Sequence, residues 1–141
     1  LDNSNNKNIM GLTNSRWYWT KNKKGENIKE KKSYIIYILD TLPKNKFDAI
    51  LAHEYLHVWL RQNNLIYPSS TTEGICNLGA FSIYKATNNQ FSNIQLEIME
   101  KDSDPDYGVG YRNMKQCLET KGWKKLIKEI KNGKAFKCNS N

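Results

Sequence analysis

His53 and His57 are the chain's two histidines, and Glu54 stands between them in the run His53-Glu54-Tyr55-Leu56-His57. On an α-helix a spacing of four brings both imidazoles to one face, where they can share a metal ion while Glu54 flanks it. This is the HExxH arrangement, and the chemistry it implies is peptide-bond hydrolysis by a zinc-bound water. The bland alternative, ordinary helix-face residues bonded to their neighbours, fits poorly with the chain's whole imidazole supply gathered around one glutamate.

Catalytic zinc takes three protein ligands and keeps a fourth position for water. There is no third histidine, which leaves a carboxylate, and Glu73, sixteen residues after His57, is the best placed. The run Ser70-Thr71-Thr72-Glu73 also fits a capping box, in which Glu73 would serve a helix N-terminus instead. Asn77, one turn beyond Glu73, is placed to orient a ligating imidazole or to make an ordinary hydrogen bond. Glu54 is the expected general base, returning its proton later to the leaving amine. Tyr107, Tyr111 and Arg112 are the candidate donors to the oxyanion.

Several elements must position these groups. Residues 46–62 carry Phe47, Ile50, Leu51, Val58 and Trp59 at helical spacing, which puts the motif mid-helix. Upstream, Trp17-Tyr18-Trp19 and the run 34–39 read as strands of a small antiparallel sheet, with turn residues over 21–27 and Pro43 closing the second strand. The run 34–39 is a candidate edge strand for pairing with an extended peptide substrate, the alternative being a fully paired place inside the sheet. Further helices are expected over 72–87, with Ile75, Leu78, Gly79, Ser82 and Ile83 as a close-packing face, and over 90–101, 108–121 and 123–132, the last ended by Gly133. The expected fold class is α+β and zincin-like, a small antiparallel sheet followed by a mostly helical body. The acidic cluster over 102–106 is no calcium loop, because Tyr107 and Asn113 stand where glycine and glutamate are required. It reads as a loop entering a helix.

The 141 residues suit a single domain over 10–135, with a loose arm over 1–9 and a tail over 136–141. The 22 lysines and arginines against 14 acids give +8, but the lysines are scattered and arginines are few. That pattern is a solvated basic surface rather than a nucleic-acid reader. No run reaches the length of a membrane span, and a monomer is the default. Cys76 reads as a small core residue, while Cys117 and Cys138 either pair or stay reduced. The missing initiator methionine and the polar arm suggest a processed, exported chain (secreted, periplasmic or envelope), although a trimmed cytosolic chain would look the same.

The blocks Ile36-Tyr37-Ile38-Leu39, Leu42-Pro43 and Ile50-Leu51-Ala52-His53-Glu54-Tyr55-Leu56-His57-Val58-Trp59-Leu60-Arg61 resemble the C-terminal peptidase domain of the plant DA-one family of ubiquitin-activated, LIM-containing growth regulators and their bacterial relatives. Glu73-Gly74-Ile75-Cys76 is similar to that family's Glu-Gly-Leu-Cys or Glu-Gly-Ile-Cys segment, and Asp104-Pro105-Asp106-Tyr107-Gly108-Val109-Gly110-Tyr111-Arg112 is similar to its Ser-Pro-x-Tyr-Gly-x-Gly-Phe segment. The resemblance implies a zinc metalloendopeptidase of the glutamate-ligand (gluzincin) class, with one Zn2+ per chain on His53, His57 and Glu73, Glu54 as the catalytic glutamate, and a protein or peptide substrate. It favours Tyr107 over Tyr111, where the family pattern has phenylalanine. No LIM module or ubiquitin-interacting helix accompanies these blocks, so ubiquitin activation does not carry over, and a stand-alone bacterial version is implied. A non-catalytic, zinc-stabilised peptide-binding module is the alternative.

Overall fold

The computed structural model describes residues 9–133 and Cys138; the arm and tail expected at the two ends otherwise lie outside the described residues. Strands β1 (Gly11–Lys21) and β2 (Asn27–Ile38) pair antiparallel as a two-stranded sheet. Thr13 stands opposite Ile36 and Trp17 opposite Lys32. The turn between them is built by Asn22, whose side-chain oxygen accepts from the backbone N–H groups of Lys24 and Glu26, and by Gly25 at φ 81°. Strand β2 begins well before the expected run at 34–39. Its lysine-rich first half has low strand propensity, and pairing with β1 recruits it, as tertiary context often does.

Four helices follow: α1 (Lys44–Gln62), α2 (Ser69–Thr87), α3 (Gln90–Lys101) and α4 (Gly110–Lys131), with a π-helical turn, Pro105–Val109, leading into α4. The class is α+β, as expected. The HExxH motif lies mid-α1. Helix α2 starts three residues earlier than expected, directly after Pro68 and with no side-chain cap. Glu73 is therefore a full turn inside the helix, and the capping-box reading is overturned. Within α4, Gly122 adopts φ 72° and ψ 162°, which breaks the helix where two separate helices were expected, and Gly133 ends it at φ 64°.

The main core joins Leu60 of α1 to Ile75, Cys76 and Leu78 of α2 and to Met114 and Leu126 of α4. Each such fully buried aliphatic side chain contributes roughly 1.5–3 kcal/mol. A second cluster, Ala49, Ala80 and Tyr84, lies under α3. Helices α1 and α2 pack closely at Gly79, where a Cβ would fall 2.9 Å from the Ala52 carbonyl oxygen. That approach brings the first turns of α2 back against the histidine face of α1. Cys117 and Cys138 form a disulfide with Cα atoms 5.0 Å apart, and Cys76 is a free, wholly buried core residue.

Candidate metal centre

Three donor atoms converge between α1 and α2. The Nε2 atoms of His53 and His57 are 3.2 Å apart, and Glu73 Oε2 lies 3.2 Å from the first and 3.5 Å from the second. A tetrahedral zinc ion with bonds of about 2.0–2.1 Å spaces its ligand atoms about 3.3–3.4 Å apart. The triangle thus has the size zinc requires. Lone-pair atoms this close repel one another unless a proton or a cation sits among them.

Glu73 Oε2 is buried and no donor is aligned on it. Burial opposes ionisation of this carboxyl, but attraction to His53 and His57 outweighs it and holds the group at about 2. Both imidazole nitrogens lie within hydrogen-bonding reach of Oε2, and that proximity comes before their charge in favouring the ionised form. A buried, ionised, donorless carboxylate oxygen facing two imidazole nitrogens is what a cation site demands.

Asn77 supplies the orientation that the sequence suggested. Its Nδ2 donates to the Tyr107 carbonyl at 3.0 Å, which leaves Oδ1 to face His53 Nδ1 at 2.8 Å. Oδ1 can only accept, so Nδ1 carries the proton and Nε2 presents its lone pair to the site.

Cys76 offers a second reading of the ligand set. Its sulfur and the two imidazoles lie within 4.8 Å of one another, a looser group than the glutamate triangle. Nitrogen and sulfur on one tetrahedral zinc would stand about 3.6 Å apart. Without a metal, burial, with the Glu73 and Glu54 carboxylates adding to it, pushes the Cys76 thiol far above its usual range. By distance, the group that includes Glu73 is the more compact of the two.

Glu54 is 7% exposed and is held from the sheet. Thr13 on β1 donates its hydroxyl to Glu54 Oε2 at 2.7 Å, and that hydroxyl also lies 3.0 Å from the Glu54 carbonyl. Gly11 makes room for the carboxylate, since a Cβ there would fall 2.8 Å from Glu54 Oε1. Arg61, further along α1, donates to the Thr13 carbonyl at 2.8 Å. The strand at the site is therefore β1 and not the run 34–39. The run 34–39 is the more apolar of the two, but polar Thr13 is what a carboxylate needs as a neighbour. Neither Thr13 nor Gly11 carries a motif that would reveal its role.

The three oxyanion candidates separate cleanly. Tyr111 is fully buried and donates to Glu100 Oε1, and Arg112 donates to the carbonyls of Glu100 and Asp102, so both tie α4 to α3. Tyr107 alone faces the site, its ring stacked 6.2 Å from that of His53 at 14°. Burial, then the charges of Glu73 and Glu54, raise its phenol and keep it a donor. Asp104 spends a carboxylate oxygen on the N–H groups of Asp106 and Tyr107, as a loop entering a helix should, and this places Tyr107. A cavity of about 470 Å³ opens beside these groups, with Ile50, Ala80, Tyr84, Ile98 and Met99 as apolar wall and His53, Glu54 and Tyr107 at its polar end.

A family model described as DA1-like, Protein DA1, matches residues 13–92, more than half of the chain. The chain belongs to the DA1-like family. The matched span runs from Thr13 through α1 and α2 and so contains His53, Glu54, His57, Glu73 and Asn77; Tyr107 lies beyond it. No curated protein and no solved structure matches the chain. Among the described residues no helix is long and apolar enough to cross a membrane.

Proposed function

We propose that the protein is a zinc-dependent, zincin-like endopeptidase of the glutamate-ligand class. The observation that carries this reading is the triangle of His53 Nε2, His57 Nε2 and Glu73 Oε2, with Glu54 buried beside it at the head of an open cavity. His53, His57 and Glu73 would hold the metal. Zinc bound there supplies Lewis acidity toward a scissile carbonyl and acidifies its water toward neutrality.

The chain's own residues do the rest. Glu54, anchored by Thr13, accepts the proton of the attacking water and hands it to the leaving amine. Asn77 keeps the His53 lone pair on the metal side. Tyr107 donates a hydrogen bond to the oxygen that develops negative charge. The apolar wall of the cavity accepts a bulky apolar side chain next to the scissile bond. The Cys117–Cys138 disulfide supports an exported chain, since such bonds persist in oxidising compartments.

Replacing Glu54 by Gln tests the mechanism. The expected result is loss of cleavage of a peptide library with one zinc per chain retained, and continued cleavage would overturn the role of Glu54. The second reading, a non-catalytic zinc-stabilised peptide-binding module, draws on the nearness of Cys76, which as a fourth ligand would close the site. It predicts zinc without cleavage and unfolding on chelation.

A further inference from the structure

The β1–β2 hairpin holds most of the chain's excess charge. Over residues 11–38 there are seven cations (Arg16, Lys21, Lys23, Lys24, Lys29, Lys31 and Lys32) and two acids (Glu26 and Glu30), so the hairpin carries +5 of the total +8. It also bears three consecutive aromatic side chains, Trp17, Tyr18 and Trp19, each about half exposed. Register places Trp17 opposite Lys32 and Trp19 opposite Glu30 on the face that holds Thr13, and Tyr18 opposite Lys31 and Thr20 opposite Lys29 on the other.

The hairpin starts at the candidate active site. One uninterrupted strand carries Gly11 and Thr13 against Glu54 and, about 13 and 20 Å further on at some 3.3 Å per residue, Trp17 and Trp19. Among the described residues, strand β1 is paired with β2 on one side only. Beyond Thr13 a chain running along β1 passes between two sets of side chains, Trp17, Trp19 and Lys32 on the Thr13 face and Arg16, Tyr18, Lys29 and Lys31 on the other.

We infer that the hairpin is a docking surface for an extended acidic segment of the substrate, held there while the bond to be cut lies at His53, His57 and Glu54. The inference rests on the peptidase reading of that site. Charge complementarity selects the acidic peptide. A membrane fits less well, because the turn over 22–26 has no apolar side chain to insert. Nucleic acid fits less well too, because Lys32 Nζ already lies 4.8 Å from the Trp17 ring centroid, where a base would stack, and six of the seven cations are lysines.

The test uses the zinc-loaded chain and a cleavable peptide found by library screening, made in neutral form and with a Glu/Asp-rich extension. The extension should raise kcat/KM about ten-fold through KM, as tethering by a second contact does. That ratio should fall toward one in Lys29→Glu/Lys31→Glu and in Lys23→Glu/Lys24→Glu, two pairs of exposed positions that leave the strand backbone intact. In parallel, a fluorescent acidic peptide is titrated by anisotropy into the Glu54→Gln protein, with a neutral peptide, a single-stranded RNA and phosphatidylserine vesicles as comparisons. Acidic-peptide binding that the charge reversals abolish supports the inference, even if no peptide is ever cleaved, in which case only the peptidase reading fails. Cleavage with no preference for the extended peptide overturns the inference alone. Hairpin-dependent binding of RNA or vesicles in place of the peptide overturns it as well.

Discussion

Thr13 and Glu54 are 41 residues apart in the chain, yet the threonine hydroxyl donates to the glutamate carboxylate across 2.7 Å in a buried contact. A hydrogen bond to a charged group contributes about 1.5–3 kcal/mol. In the proposed mechanism, where Glu54 is the general base, that energy would fix the direction in which a proton is received. Thr13→Val keeps the shape and removes the donor, and it should lower kcat roughly ten- to hundred-fold with zinc content unchanged. Thr13→Ser should restore most of the loss. A valine variant with full kcat would show that Glu54 needs no such anchor.

The identity of the third ligand is a question of one turn of α2. Elemental analysis of Glu73→Ala and Cys76→Ser decides it. Glu73→Ala should lose zinc on dialysis, because only two imidazoles remain, whereas Cys76→Ser should keep one zinc per chain. The reverse pattern would assign the ligands as His53, His57 and Cys76 and remove the glutamate-ligand class from the proposal.

Part of this site was legible because it is local. The spacing of His53, Glu54 and His57 needs only helical periodicity to become a shared face, and Asn77 follows Glu73 by one turn. The close-packing face of α2 announced itself through Gly79, and the break near Gly122 separated two apolar patterns. What the chain concealed is tertiary. Nothing in a lone threonine says that it will meet a carboxylate from another element, and the first half of β2 is a strand only because β1 is beside it. The start of α2 reads three residues late in the sequence because Ser70, Thr71 and Thr72 look like caps, while the residue before the helix is Pro68. In sequence Tyr111 and Arg112 read as site residues beside Tyr107, but successive positions on a helix point in different directions, and theirs leads to Glu100.

The Cys117–Cys138 bridge closes a loop of 21 residues of sequence separation. Cross-linking a loop of that length removes chain entropy worth about 3 kcal/mol from the unfolded state. Reduction, or Cys117→Ser, should therefore lower Tm by roughly 10 °C in a chain of this size. Zinc content and cleavage at 25 °C should persist, since neither cysteine touches the triangle. An unchanged Tm on reduction would mean that the bridge does not form in solution.

The ionised form of Glu73 should leave a trace in acid. Its carboxyl is lowered from 4.5 to about 2 in the folded chain, where burial is outweighed by His53 and His57. A depressed carboxyl contributes stability that is complete above the unfolded value and disappears as pH falls through the folded one. For the metal-free protein, the stability difference between wild type and Glu73→Gln should thus be constant above about pH 5 and shrink steadily toward pH 2. Urea unfolding at half-unit steps of pH reads this directly. A difference that holds constant down to pH 2 would mean that Glu73 gains nothing from the two imidazoles without a metal, and the compactness of the triangle would then have to come from helix packing at Gly79 alone.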